Sequence, residues 1–330
     1  MFGKFIPFHQ GHEAMMRYAL GRCDQLTVLV CESTKEPMPG ALRKQWIEET
    51  LCTVESNVDV RLFVYDENEL PNSGESSRAI SKIWSDAFMR LLPGVDLLVT
   101  SEPYGEYVAE YMGIEHHAFD VDRTIVPVSA TAIRNDPSSN WTFIPQAVRP
   151  YFCKTIAILG TESTGKSTMA KMLADHFNAS LVMEAGRDLI AHSDLCSYED
   201  LSIVALEHAK RIERAVRGEA PIVIIDTDIN ITMSYSRFLF GRDLVTEPAW
   251  TAATERSLHL YLNAEVPMIQ DGTRLSIEQR SQLDGSHRRL LKERGVAISE
   301  VRGKDWGDRD RQALDLVNAY LASPTIVFDR

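Results

Sequence analysis

The sequence contains no run of 18 apolar residues, no Cys-x-x-Cys pair and no excess of basic side chains. The first absence argues against a membrane-spanning helix. Five cysteines, an odd number without the spacing of a zinc site, favour reduced thiols over a disulfide framework. The N-terminus has neither the apolar core nor the cleavage site of a signal peptide, so we expect a cytoplasmic protein.

Acidic residues outnumber basic ones, 47 against 35, which gives a formal net charge of −12. A protein that neutralises a nucleic-acid backbone is expected to carry the opposite sign. Nucleic acid is therefore not an expected partner. A small phosphate site needs only a few positive groups, so small anionic molecules stay among the expected ligands.

The length of 330 residues favours two domains. In both halves, short apolar runs alternate with amphipathic stretches, which predicts an α/β protein with two domains, each a mainly parallel sheet flanked by helices. The predicted strands are 26–31, 58–65, 95–100, 155–159, 180–183, 221–226 and 258–262. The predicted helices are 42–51, 79–92 and 167–177.

The border between the domains is expected in the stretch 135–152. This stretch contains Pro137, Pro145 and Pro150 together with several aromatic residues, a composition typical of a rigid connector. We place the domains at 1–147 and 148–330.

Residues 3–12 read Gly-Lys-Phe-Ile-Pro-Phe-His-Gln-Gly-His. His9 and His12 fall on one face of a helical turn, and Pro7 places a loop directly before it. Free N–H groups at a helix start, two imidazoles and Lys4 would suit a triphosphate. The spacing alone fits surface or capping histidines equally well. A metal site is disfavoured because no third ligand lies nearby.

Residues 160–167 read Gly-Thr-Glu-Ser-Thr-Gly-Lys-Ser, which matches the P-loop pattern after an apolar strand and at the start of a helix. Lys166 is expected to reach the β- and γ-phosphates, and Ser167 to bind Mg²⁺. Asp226 ends a predicted strand and is the second candidate Mg²⁺ ligand; an ordinary turn carboxylate is the alternative. The ATP-binding candidates of this loop are Gly160, Thr161, Glu162, Ser163, Thr164, Gly165, Ser167 and Thr168.

Four further polar residues follow strands of the second half, where ligands of parallel sheets bind. Glu184 is a candidate base for a substrate hydroxyl, and Arg187 and Asp188 are candidate substrate contacts. Asp228 is expected to face the same side as Asp226 and is a further candidate substrate contact. A surface salt-bridge cluster explains the first three residues equally well.

The polar stretch 271–280 predicts a lid over the phosphates. Its arginines, Arg274 and Arg280, would close on ATP. A solvated helix face is the alternative.

The segment 3–12 resembles the first signature of the nucleotidylyltransferase superfamily, and Ser-Ala-Thr-Ala-Ile-Arg at 129–134 resembles the second. In such enzymes a substrate oxygen attacks the α-phosphate and the protein supplies position and charge. Only Met1 and Phe2 precede Gly3, where family members have a strand of about five residues, so we expect a shortened central strand. The resemblance implies ATP-phosphate contacts for His9 and His12, pyrophosphate contacts for Ser129, Thr131 and Arg134, transition-state stabilisation by Lys4, and ATP binding by Gly3 and Phe5.

Both halves, in this order, resemble the bifunctional nicotinamide-mononucleotide adenylyltransferase/ribosylnicotinamide kinase proteins, the NadR-like family. The segments 101–107, 141–152 and 225–228 also look like family segments. The resemblance implies a Rossmann-like nucleotidyltransferase followed by a P-loop kinase. The second half would phosphorylate nicotinamide riboside with ATP. The first would transfer AMP from another ATP to the mononucleotide, giving NAD and pyrophosphate, with Mg²⁺ in both reactions. The helix-turn-helix of some members is not expected, since the chain begins at the first signature.

Three residues of the first half are candidates for contacting the nicotinamide substrate. Trp46 and Trp84 could stack on a pyridinium ring, and Arg43 could bind a phosphate. A tryptophan of this kind is also a common core residue. Two other functions fit the motifs: a sensor of nicotinamide nucleotides without activity, or the same two activities on another nucleoside. A homo-oligomer is compatible with the sequence.

Overall fold

A computed structural model describes residues 1–34, 36–52, 55–72, 77–190, 196–265, 276–303 and 305–323. The chain divides into two compact units, with the border between Val148 and Arg149. In the described ranges, every helix is too short or too polar to cross a membrane.

The first unit contains two small parallel sheets, one of order β1-β2-β3 and one of order β4-β5. Its strands are β1 (Phe2–Gly3), β2 (Leu26–Ser33), β3 (Val58–Tyr65), β4 (Leu97–Thr100) and β5 (Glu115–Ala118). Its α-helices are α1 (Gln10–Leu20), α2 (Gly40–Ile47), α3 (Arg78–Leu91), α4 (Tyr104–Met112) and α5 (Ala130–Asn135). A π-helical turn (Glu48–Cys52) follows α2, and a 3-10 turn (Trp141–Phe143) follows α5.

The first strand is as short as the sequence predicts. Phe2 and Gly3 pair in parallel with Leu29 and Val30 of β2. A cavity of about 900 Å³ lies between the beginning of β2 and β4, and Met1 lines it. Strands must lie about 5 Å apart to exchange hydrogen bonds. This cavity separates β2 from β4, which belong to different sheets.

The second unit is built on one five-stranded parallel sheet of order β10-β9-β6-β8-β7. Its strands are β6 (Lys154–Leu159), β7 (Ser180–Val182), β8 (Ile222–Asp226), β9 (Leu258–Leu262) and β10 (Ile298–Val301). Its helices are α6 (Arg149–Phe152), α7 (Lys166–Phe177), α8 (Gly186–Leu189), α9 (Tyr198–Val216), α10 (Ile229–Phe240), α11 (Pro248–Ala252), α12 (Ile277–Glu293) and α13 (Trp306–Ala322).

The topology of this sheet decides where a ligand can bind. The central strand β6 pairs with β8 on one side and β9 on the other, so the chain order reverses around it. Ligands of open parallel sheets bind at the carboxyl ends of the strands near such a reversal. The loop after β6 and the end of β8 therefore define the expected binding edge.

The predicted fold class is confirmed: both units consist of parallel sheets and helices. The predicted strands at 58–65 and 258–262 coincide with β3 and β9, and the other predicted strands overlap observed ones. The helix predicted at 42–51 ends as an α-helix at Ile47 and continues as the π-helical turn. The short strands β5 and β10 were not predicted, because neither forms an apolar run long enough to stand out.

Candidate active sites

The loop between β6 and α7 has backbone geometry that requires glycine. Gly160 has φ +138°, and a Cβ there would lie 2.7 Å from the carbonyl oxygen of Leu262. Gly165 has φ +87°, and the ring of Trp306 occupies the position of its missing Cβ. Only glycine adopts such conformations without strain. The loop thus turns from the sheet into the helix as a phosphate-binding loop must.

Lys166, Ser167 and Asp226 come together at the end of this loop. The Lys166 ammonium donates to the Thr161 carbonyl oxygen at 2.9 Å, and the Ser167 hydroxyl donates to Asp226 Oδ2 at 2.5 Å. Asp226 is fully buried, and its Oδ1 has no hydrogen-bond partner in the described part of the chain. A buried, unpartnered carboxylate oxygen beside a hydroxyl fits Mg²⁺, which commonly uses one or two protein ligands plus phosphate oxygens.

Beside the loop lies a cavity of about 580 Å³. Its polar lining includes Glu162, Lys166, Glu184 and Arg187, so two of the predicted substrate-site residues face it. The Arg187 side chain pairs with Glu184 at 3.3 Å. The cavity is large enough for a nucleoside next to the phosphate loop.

Two predicted substrate contacts have other roles in the structure. Asp188 is exposed and pairs with Arg211 at 2.6 Å, so the salt-bridge alternative describes it. Asp228 is fully buried: it caps α10 by accepting from the Ile231 N–H and lies 3.4 Å from His259. Burial opposes its ionisation, but the neighbouring His259 ring and hydrogen bonds from Asn230 and the Ile231 N–H outweigh that effect and lower the pKa of Asp228. Neither carboxylate lines the cavity. The burial of Asp228 contradicts its predicted substrate contact, and the substrate contact of Asp188 stays a prediction.

Buried arginines reach the phosphate loop from two helices. Arg280 on α12 is 6% exposed and donates to Thr161 Oγ1 at 3.2 Å, and Arg309 on α13 is fully buried and donates to the Thr164 carbonyl oxygen at 3.0 Å. The predicted lid residue Arg274 lies outside the described residues. Sequence reasoning missed Arg309, because it stands in a charged helix whose pattern gives no reason to bury it.

In the first unit, His9 and His12 stack on each other. Their ring centroids are 3.7 Å apart and the ring planes differ by 25°. His9 caps α1, since its Nδ1 accepts the Gly11 N–H at 3.1 Å, and Phe5 packs edge-on against His12. The predicted loop–helix geometry is therefore present, with both imidazoles at the helix start.

The second signature meets the first at this loop. Arg134 on α5 donates to the carbonyl oxygen of Ile6 and, at 3.0 Å, to Thr131 Oγ1. Ser129 caps α5 by accepting from the Ala132 N–H. Segments about 120 positions apart in the sequence thus share one site, as the resemblance to nucleotidylyltransferases implies.

Both histidines are held neutral. Burial and the nearby Arg123 lower the pKa of His9 from 6.5 to about 4, and burial lowers the pKa of His12 well below its ordinary value. Each ring therefore offers one N–H donor near neutral pH. An anionic ligand would raise both pKa values.

Acid should destabilise the first unit through these rings. Between pH 6.5 and about pH 4, His9 is protonated in the unfolded chain and neutral in the folded one. The contribution of His9 to stability is therefore complete above pH 6.5 and is lost as the pH falls toward 4. We expect a loss of up to about 3 kcal/mol from His9. Thermal melting at pH 7 and pH 5 checks this. His9→Asn keeps a cap acceptor and should show a smaller shift; an equal shift would contradict the assignment.

Arg43 does not have the predicted role of a phosphate ligand. Its side chain is fully buried and pairs with Glu36 at 2.7 Å, and it donates to the carbonyl oxygens of Lys4 and Cys31. Lys4 binds the same Glu36 at 3.0 Å. Although burial alone would lower the pKa of Lys4, Glu36 raises it overall, so Lys4 stays charged. Arg43 therefore fixes the loop that carries Lys4.

Removing the guanidinium of Arg43 should strongly destabilise the first unit. Arg43→Ala would leave the buried carboxylate of Glu36 without this partner, and such losses cost about 3–5 kcal/mol. Urea unfolding measures the change. Arg17→Ala, which breaks an exposed ion pair with Glu13, is the control and should cost less than about 1 kcal/mol. Similar losses in both variants would contradict the role of Arg43.

The two predicted tryptophans differ in position. Trp46 is 3% exposed and belongs to the core, so the prediction that it stacks on a substrate is corrected. Trp84 lines a cavity of about 200 Å³ together with Lys4, Tyr65 and Tyr104. An aromatic cavity beside Lys4 is suited to a flat ring next to a phosphate.

Together these features define a class of protein: a two-unit α/β nucleotide-binding protein, with paired histidines in one unit and a P-loop in the other. Residues 155–309 match the family model described as an AAA domain.

Comparison with known proteins gives a more specific relationship than the family model does. Along 97% of its length the chain is 28% identical to the trifunctional NAD biosynthesis/regulator protein NadR of Escherichia coli (strain K12), of which it covers 82%. The crystal structure of NadR protein in complex with NAD and AMP-PNP has a TM-score of 0.69 and 22% identity, and the match covers 100% of this chain and 96% of that one. NadR protein in complex with NR has a TM-score of 0.67 and 22% identity, covering 98% and 95%. The chain is a homologue of the NadR proteins and has their fold.

Proposed function

We propose that the chain is a bifunctional transferase of NAD biosynthesis. Residues 148–330 phosphorylate nicotinamide riboside with ATP, and residues 1–147 transfer AMP from a second ATP to the resulting mononucleotide, giving NAD and pyrophosphate. The observation that carries the proposal is that a chain homologous to NadR along 97% of its length has a P-loop in one unit and stacked histidines at a helix start in the other. NadR structures in complex with NAD and AMP-PNP and with NR support it.

In the kinase reaction, the riboside hydroxyl oxygen bonds to the γ-phosphorus, the bond from that phosphorus to the bridging oxygen breaks, and ADP leaves. Lys166 holds the β- and γ-phosphates, and Glu184 in the cavity accepts the hydroxyl proton. Ser167 and Asp226 would hold Mg²⁺, which neutralises charge on the phosphates when bound. Arg280 adds positive charge from α12.

In the adenylyl transfer, a phosphate oxygen of the mononucleotide bonds to the α-phosphorus of ATP while pyrophosphate leaves. The neutral rings of His9 and His12 donate hydrogen bonds to the phosphates, and Arg134 and Lys4 stabilise the charge that develops. We assign Trp84 to the nicotinamide ring. Gly3, Phe5, Ser129 and Thr131 shape the ATP side of the site.

A direct test is incubation of the protein with nicotinamide riboside and Mg-ATP, with all nucleotides followed by mass. We expect the mononucleotide to form first, then NAD and pyrophosphate. Tight binding of the nicotinamide compounds without turnover would show a sensor instead. Turnover of a different riboside, with none of nicotinamide riboside, would change the substrate and keep the two reaction types.

A further inference from the structure

A tryptophan on the surface of the second unit packs directly on the phosphate loop. Trp306 is the first residue of α13, and its ring occupies the space beside Gly165 that a side chain at that glycine would need. The ring is nevertheless 47% exposed, so a large part of it stays open to contact with a ligand. Aromatic side chains are common in the lining of ligand sites. Trp306 is therefore a candidate contact for whatever the loop binds.

Contacts on both sides of Trp306 fix its position relative to the loop. Asp305 caps α13 by accepting the Gly307 N–H at 2.7 Å, which holds the first turn of the helix. Arg309, one turn further, is fully buried and donates to the Thr164 carbonyl oxygen at 3.0 Å. The guanidinium carbon of Arg309 lies 5.0 Å from the centre of the Trp306 ring. An aromatic ring that is already fixed loses little conformational entropy when a ligand stacks on it.

The sheet topology places Trp306 on the donor side of the proposed kinase reaction. The 580 Å³ cavity proposed for the acceptor is lined by Glu184 after β7 and Thr227 after β8, and Trp306 does not line it. Trp306 follows β10, and β10 and β7 are the two opposite edges of the sheet, with the loop strand β6 between them. Attacking and leaving oxygens are in line in phosphoryl transfer, so the leaving nucleotide points away from the acceptor. From the loop, that direction leads to the side on which Trp306 lies.

We propose that Trp306 stacks on the base of the nucleoside triphosphate that donates the phosphoryl group, and that it favours purines over pyrimidines. A two-ring base covers more of an indole ring than a one-ring base does, and stacking tolerates changes at the edge of the base. ATP and GTP should therefore differ less from each other as donors than either differs from CTP. The inference rests on the proposed riboside kinase activity and names the residue that sorts its phosphoryl donors.

The experiment measures the nucleoside diphosphate released in the presence of nicotinamide riboside, because adenylyl transfer releases pyrophosphate instead. In Trp306→Ala the KM for ATP should rise about tenfold or more while kcat changes less than about threefold, since stacking binds ground state and transition state alike. The preference for ATP over CTP in kcat/KM should fall about threefold or more. Trp306→Phe keeps an aromatic face and should recover most of the affinity. Trp306→Leu fills the space beside Gly165 without such a face and should not.

Inorganic tripolyphosphate separates stacking from support of the loop, because it has no base. Its inhibition constant against ATP should agree within about twofold between the unmodified protein and Trp306→Ala. If that constant rises as much as the KM for ATP, Trp306 only supports the loop and the proposal is wrong. An unchanged KM for ATP would also overturn it.

Failure of the proposed kinase function would look different. The unmodified protein would then release no diphosphate with nicotinamide riboside. In that case equilibrium binding of ATP and of tripolyphosphate makes the same comparison, with His12→Ala in both proteins to weaken the ATP site of the first unit. Weaker binding of ATP alone in Trp306→Ala would support the stacking role, and equal weakening of both ligands would exclude it.

Discussion

Lys166→Ala is expected to lower the rate of riboside phosphorylation by at least about 10³-fold, because it removes the ammonium that stabilises charge on the transferred phosphoryl group. The side chain is 9% exposed and is held at the loop by the Thr161 carbonyl oxygen, so it is already placed for this role. Mononucleotide formation from nicotinamide riboside, followed by mass, measures the loss.

The second proposed reaction of the same protein is the control for Lys166→Ala. Adenylyl transfer to added nicotinamide mononucleotide should stay within about twofold of the unmodified rate, since the change lies in the other unit. Circular dichroism shows whether the variant is folded. Loss of both reactions in a folded protein would contradict two independent sites.

His12→Ala should have the converse effect and lower adenylyl transfer by about 10²–10³-fold. The ring is buried against Phe5 and His9, so alanine removes a donor and also leaves space in which His9 can turn. Pyrophosphate release on addition of nicotinamide mononucleotide measures this reaction. Riboside phosphorylation should continue near the unmodified rate.

The position of His12 calls for a second variant. His12→Asn retains a side-chain N–H donor and fills more of the space, so it should recover part of the activity lost in His12→Ala. A variant that melts normally and still transfers adenylyl groups at full rate would exclude His12 from the reaction. It would also favour the sensor hypothesis for the first unit.

The contacts of the Gly3–His12 loop bear on the sensor hypothesis for the first unit. The loop begins in the two-residue strand β1, which pairs with β2. Arg134 and Arg43 also bond to carbonyl oxygens of this loop, at Ile6 and Lys4. Contacts from two helices therefore add to the strand pairing that holds the loop.

Sequence patterns were sufficient to identify the features that depend on residues close together in the sequence. The P-loop needs glycines at Gly160 and Gly165 because of backbone angles, and such angles are set within a few residues. The spacing of His9 and His12 likewise places both rings at one helix start. Long apolar runs identified β3 and β9, because a buried parallel strand must be apolar on both faces.

Other roles depend on residues distant in sequence, and patterns misjudged or missed them. Arg43 was predicted to bind a substrate phosphate, but the fold buries it against Glu36. Asp228 was predicted to contact the substrate, but it caps α10 beside His259. Arg309 carries no motif and gains its significance from its hydrogen bond to the phosphate loop.

The sequence by itself determined the P-loop, the loop with the paired histidines, their order and the parallel α/β class, because local spacing and hydrophobic pattern encode them. Only the tertiary structure decided which charges are compensated. Ion pairing and burial depend on side chains that folding brings together, and these give Arg43 the carboxylate of Glu36 and Asp228 the imidazole of His259.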